Sequence, residues 1–310
     1  MFQLRRTAEL SCVLGIAVTL WLSTVVAPVA VSGRVLQAGI PPAQTHERIT
    51  IADNRVAAGT VVDGTLTIRL EARTGEWYPD RDSDPGVVVK AFAVEGGPLQ
   101  IPGPLIRVPE GTRIRAIVRN RLADLLSMHG LYARPGNSSG GVDVAVIPPG
   151  ETRELTFASG SAGTYYYWGA TDPATLINRR APADSQLSGA LIVEPREGPT
   201  QDRVLLMGIW GDSNPANDGL RRFVINGRSW PHTERLAYRV GESVRMRLIN
   251  AGDATHPMHL HGFYFNVDSR GNERHDVTFP AGSSPRLVVT ERLAPGGTFS
   301  LTWKPTRPGN

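Results

Sequence analysis

The chain has 310 residues, 41% of them hydrophobic and 20% charged, an ordinary globular composition with room for about two domains. The net charge is only +4, Lys90 and Lys304 are the only lysines, and the arginines are interleaved with acids, so there is no basic block of the kind a nucleic acid would require. The 33 glycines and 24 prolines punctuate the chain throughout, which suits short strands joined by turns.

Residues 1–32 read as an export signal or membrane anchor. Arg5 and Arg6 precede an apolar run, "VLGIAVTLWLSTVVAPVAV", that ends in the small-x-small triplet Ala30-Val31-Ser32. The run is about 19 residues, long enough to serve as an uncleaved tether. The expected location is therefore outside the cytoplasm: periplasmic, cell-surface or secreted. Cys12 is the only cysteine and precedes the apolar run, so the exported part has neither a disulfide nor a thiolate. Residues 33–59 are polar and without strong periodicity, and a tether is expected there. From Thr60 onward, "GTLTIRLEA", "TRIRAIVRN", "TRELTF", "GTYYYW" and "GALIVEP" alternate apolar and polar residues over short lengths. The predicted fold class is all-β.

An internal repeat organises the strands. "IRVPEGTRIRAIVRN" leads to "SMHGL" and then "IPPGETRELTF". Later, "YRVGESVRMRLIN" leads to "HLHGF" and then "LAPGGTFSLTW". Arg107 and Arg239 stand 132 residues apart, as do His129 and His261, while Pro149 and Pro295 stand 146 apart. Two copies of one β-domain are predicted, over 60–197 and 198–310, with the boundary at "VEPREGPTQD".

The stretch "HPMHLHGF", residues 256–263, holds three of the seven histidines. On an extended strand His259 and His261, two residues apart, point the same way. His256, three residues before His259 and followed by a proline, can face a different site. Neutral imidazole suits Cu, Zn, Fe and Ni, so the cluster alone names no metal. In the first copy His129 matches His261, but Ser127 stands where the second copy has His259.

"HPMHLHGF" resembles the last-domain copper motif of the multicopper oxidases. "GPLIRVPEGTRIRAIVRNRL", "GTYYYW" and "SQLSGALIVEP" resemble segments of their opening cupredoxin domain. The resemblance, over about 60–310, implies two tandem cupredoxin-like Greek-key β-barrels or sandwiches and copper as cofactor. It implies His256 as a type 1 copper ligand, and His259 and His261 as ligands of the trinuclear cluster that reduces dioxygen. His129 is the single first-domain histidine matching that family's ligand pattern. Three departures stand against a complete site. Ser127 replaces the first of the first-domain pair. Trp168-Gly169-Ala170 follows "GTYYY" where the family has His-Ser-His, and no His-Cys-His segment is present. The repeat pairs Gly163 with Gly309, so the second domain is expected to lack its closing strands, and with them a His2Cys site. Homo-oligomerisation is compatible with the family but repeats the same first-domain gaps in every subunit.

Two function classes follow. One is a copper-dependent oxidoreductase that takes single electrons from a small-molecule or protein donor, with dioxygen reduction its least supported step. The other is a non-catalytic cupredoxin-like protein that binds copper or serves as an envelope interaction module. His46, His232 and His275 are expected in solvated or structural roles, and Met128 and Met258 in packing between the domains. Trp168 is expected to fill the space left by the absent ligands. There is no Gly-x-Ser-x-Gly elbow, phosphate loop or dinucleotide fingerprint.

Overall fold

The computed structural model describes residues 45–134, 144–211, 221–280 and 287–309. The expected export signal and the first part of the expected tether lie outside the described residues. Among the described residues no helix is long and apolar enough to cross a membrane.

Among the described residues the protein is all-β, built as two sandwiches in tandem, with no closed barrel. In the first half, Thr65–Trp77 lies between Val87–Val94, antiparallel, and Arg113–Asn120, parallel. Thr152–Ala158 extends that sheet beyond Arg113–Asn120. A second sheet of five strands runs in the order Ala145–Ile147, Leu126–His129, Gly163–Ala170, Ser188–Glu194, Gly103–Pro109. The period-two alternation explains the core directly. Leu66, Ile68 and Leu70 of one sheet pack with Tyr165, Tyr167 and Leu191 of the other, all buried.

Gly163–Ala170 is buried on both faces. Its odd-numbered tyrosines enter the first-half core, while Tyr166, Trp168 and Ala170 face the opposite way. There they share a cluster with Val204, Leu206, Ile249 and Ala251 of the second half. One strand therefore belongs to two cores, and the halves meet over an apolar surface.

Residues 45–59 depart from the expected tether. Glu47–Arg48 pairs with Thr65–Trp77, and Thr50–Ile51 pairs with Gln100–Ile101. Ile49 between them is buried in a core with Trp77 and Leu99. Strands of two residues are too short to show alternation, so the sequence pattern carried no signal for them.

The second half repeats the first. Arg203–Trp210 is parallel to Val244–Asn250, which pairs antiparallel with Gly297–Trp303, and this in turn pairs with Phe265–Asn272. Equivalent buried asparagines hold equivalent corners. The Asn120 amide donates to the carbonyls of Asp124 and Ile147 and its oxygen accepts from Leu122 N–H. The Asn250 amide donates to Ala254 and Leu293, and its oxygen accepts from Gly252 N–H. Gly130 and Gly262, one residue past the matched histidines, share a left-handed backbone, with φ of 78° and 77°.

The second sheet differs between halves. In the second half, among the described residues, it consists of His256–His259 paired with Thr290–Leu293. Residues 235–241, the counterpart of Gly103–Pro109, form no strand. Gly103–Pro109 is held by the parallel strand Ser188–Glu194, and residues 235–241 have no such neighbour among the described residues.

Met128 and Met258 do not pack between the domains as expected. Met128 is buried in the first-half core, and Met258 packs against the core of the second half.

Candidate metal centre

The strand His256–His259 and the residues just after it position the second-half histidines. The rings of His259 and His261 are brought together, with centroids 4.9 Å apart and planes inclined by 39°. Both are exposed. Nδ1 of His259 lies 3.0 Å from the Pro257 carbonyl oxygen. A carbonyl can only accept, so the Nδ1 proton is fixed there and the Nε2 lone pair is left for a ligand. A backbone carbonyl on the second ring nitrogen is the usual way a metal-binding imidazole is oriented.

His259 and His261 border a cavity of about 690 Å³ with largely apolar walls, among them Leu236, Met246, Phe263 and Trp303. The Tyr238 hydroxyl and the Trp303 indole nitrogen are buried in this region without a hydrogen-bond partner.

His256 has different surroundings from that pair, in keeping with its odd spacing from His259. It is half-buried, edge-on to Phe223 at 6.0 Å. Burial pushes its pKa below the usual imidazole value, Asp253 opposes the shift, and the Arg221 charge adds to it. Its Nε2 is buried and has no hydrogen-bond partner, so the neutral ring retains a free lone pair.

His129 is in a third environment. It is 8% exposed and stacks on Trp168, with ring centroids 3.7 Å apart and planes within 7° of parallel. The contact follows from register, since His129 and Trp168 are directly opposite on adjacent antiparallel strands. Burial, followed by the charges of Arg180 and Arg274, takes its pKa down to about 4. The Ser127 hydroxyl is engaged in a 2.8 Å hydrogen bond to the Ala170 carbonyl.

Among the described residues no three His, Cys, Asp or Glu side chains are grouped so that they could hold a metal ion. The two halves differ in how they fit copper. The His259/His261 pair offers two imidazoles, one with its tautomer held by a carbonyl. The first half offers a single buried imidazole, His129, whose Nε2 has no hydrogen-bond partner. The neighbours are indole, methyl and an occupied hydroxyl, and the nearby guanidinium groups would repel a cation.

Nothing in the sequence marks several residues of the first-half site. Glu273 accepts the Trp168 indole N–H and its backbone carbonyl accepts from Arg134. Arg180 lies over Trp168 at 5.6 Å, and Arg274 lies over Tyr132 at 5.3 Å. They reach the site from loops with no periodic pattern, and no sequence motif announces them.

Comparison with known proteins places these features in a family. Two multicopper oxidase family models match consecutive segments, residues 83–198 and 199–310. A probable nitrite reductase-hydroxylamine oxidoreductase fusion protein of Kuenenia stuttgartiensis is 27% identical over 238 residues, covering 68% of this chain and 26% of that protein. Copper resistance protein A of Escherichia coli is 30% identical over 134 residues, covering 41% of this chain and 20% of that protein. The chain thus matches about a quarter or less of the length of these relatives. Among solved structures, the blue copper oxidase of Nitrosomonas europaea superposes with a TM-score of 0.62 at 23% identity, covering 79% of this chain and 77% of that one. The copper nitrite reductase of the same organism gives 0.57 at 22% identity, covering 79% and 86%. At these identities the structural likeness speaks for the fold. The tandem family matches cover most of the chain, which is a two-domain, cupredoxin-like member of the multicopper oxidase family, a family whose cofactor is copper.

Proposed function

We propose that this chain is a copper-binding oxidoreductase whose metal is held by the second half. His259 and His261 would share one ion, and His256 would serve a separate site. The observation that carries the reading is the close approach of the His259 and His261 rings, with the His259 tautomer held by Pro257. Bound copper supplies a one-electron acceptor. The chain's own part is to present neutral imidazole lone pairs, to hold the His259 ring by its second nitrogen, and to keep the half-buried His256 unprotonated at neutral pH. The electron donor would be a small molecule or a protein, and export to the periplasm or cell surface fits the N-terminal residues.

Copper titration of the protein, followed by elemental analysis and electron paramagnetic resonance, tests the ligand set. His259→Ala and His261→Ala should each weaken uptake by tenfold or more. Uptake equal to that of the parent in both variants would refute it.

The absence of any three-ligand group among the described residues favours a second reading, in which copper is bound without turnover. Oxygen consumption by the copper-loaded protein with a one-electron reductant separates the two. Sustained consumption supports the oxidoreductase, and bound copper without it supports the binding protein.

A further inference from the structure

We infer that the first-half position matching the family's copper ligands is, in this chain, a latch that excludes metal and joins the two halves, built on Trp168 stacked against His129. The inference deepens the proposed function by leaving copper to the second half alone.

The latch has polar ties on several sides. The Trp168 indole N–H donates to the Glu273 carboxylate of the second half. Arg134, 6% exposed, donates to the Glu273 backbone carbonyl at 2.9 Å and to the carbonyls of Gly130 and Tyr132 on its own side. Arg180 donates to the Ala251 carbonyl of the second half at 2.6 Å, and within the first half to the carbonyls of Asp184, Ser185 and Leu187. The Tyr166 hydroxyl donates to the Gly296 carbonyl at 2.9 Å. Four donors of the first half thus end on acceptors of the second, around one buried aromatic pair.

The same construction leaves no place for a cation. Indole has an N–H donor and no lone pair for a metal, and its donor is already engaged. The methyl of Ala170 and the occupied hydroxyl of Ser127 form the pair two residues along on the same strands. An ion at His129 would have one ligand atom and would sit in the field of Arg180 and Arg274, with Glu273 already serving Trp168. Gly130 admits the close approach that forms the latch. A Cβ there would fall 2.3 Å from the Tyr166 carbonyl oxygen.

Two measurements on the full chain decide the matter. The first is copper stoichiometry by elemental analysis, comparing His129→Ala with the parent protein. Equal stoichiometry is expected, and a loss of bound copper in the variant would overturn the inference. If the parent binds no copper, the proposed function fails, and the second measurement still decides the latch. That measurement is a thermal double-mutant cycle of Trp168→Phe and Glu273→Gln. Each single variant should melt lower than the parent, and the double variant should melt less far down than the two single shifts added together. Unchanged melting in both single variants, or strictly additive shifts, would overturn the latch. Glu273→Gln keeps the indole in place, so the cycle can be read from the conservative side if Trp168→Phe folds poorly.

Discussion

The boundary between the halves carries a buried charge cluster whose removal should be measurable. Asp202 is 2% exposed at its side chain and pairs with Arg107 of the first half and Arg247 of the second. Its contact with Arg247 Nε is 2.6 Å, and Thr200 donates to it at 2.7 Å. Burial alone would push the Asp202 pKa up. Arg247, by charge and by hydrogen bond, together with Thr200 and Arg107, outweighs burial and holds it below the usual carboxylate value. Asp202→Asn keeps the shape and removes the charge. Hydrogen bonds to charged groups are worth about 1.5–3 kcal/mol each, but relief of carboxylate desolvation offsets part of the loss. Glu194, 3.1 Å from Arg107 and 3.6 Å from Arg247, stays to balance the guanidiniums. The net cost should be about 2–3 kcal/mol, a fall in melting midpoint of roughly 4–10 °C. Because the folded-state pKa is depressed, the contribution is fully present above the unfolded value of about 3.9 and is lost as pH falls through the folded value. Thermal melts of parent and variant from pH 7 down to pH 3 check this. The gap should be constant above about pH 5 and narrow below about pH 4. A gap that is absent at pH 7, or one that persists unchanged at pH 3, would refute the reasoning.

The matched glycines should respond unequally to alanine. Gly130→Ala meets backbone at 2.3 Å, whereas a Cβ at Gly262 meets only the far end of the Arg307 side chain at 2.9 Å. Gly262→Ala should therefore cost about 1–2 kcal/mol from its left-handed backbone, and Gly130→Ala clearly more, as read by denaturant melts. Asn120→Ala and Asn250→Ala each remove three hydrogen bonds at a fully buried corner, and each should lower stability by about 2–4 kcal/mol in the same assay. A cost below about 1 kcal/mol at either asparagine would show that water replaces the bonds.

The long strands were legible because alternation reports burial directly. "TLTIRLEA" alternates, and the structure buries Leu66, Ile68 and Leu70 in turn. The repeat was legible for a similar reason, as matched residues do matched work, down to Asn120 with Asn250 and Gly130 with Gly262. The separation of His256 from His259 follows from their odd spacing on one strand, whereas His261 joins His259 from the turn just past the strand's end. The partners of Trp168 were another matter. Glu273 lies 105 residues away and Arg180 sits in an irregular segment, so only the packing of the two halves brings them together. Residues 45–59 carry no strand pattern in the sequence because their strands are short and borrow their order from the sheet they join.

The two copies show that a ligand residue is defined by its neighbours as much as by its own identity. His129 and His261 occupy one position of the repeat, each followed by a glycine with left-handed backbone. In the second copy the neighbour two residues earlier is another imidazole, the pair is exposed, and a lone pair remains for a metal. In the first copy that neighbour is Ser127, the facing strand presents Trp168, and the charges of Arg180 and Arg274 act on the buried ring. Stacking and desolvation favour a neutral, buried imidazole there, and a copper ion would need several ligands that the site does not contain. Around this position the two copies share the asparagine corner and the left-handed glycine turn, although their second sheets differ. On that common frame, one histidine position serves the union of the halves and its twin faces open space.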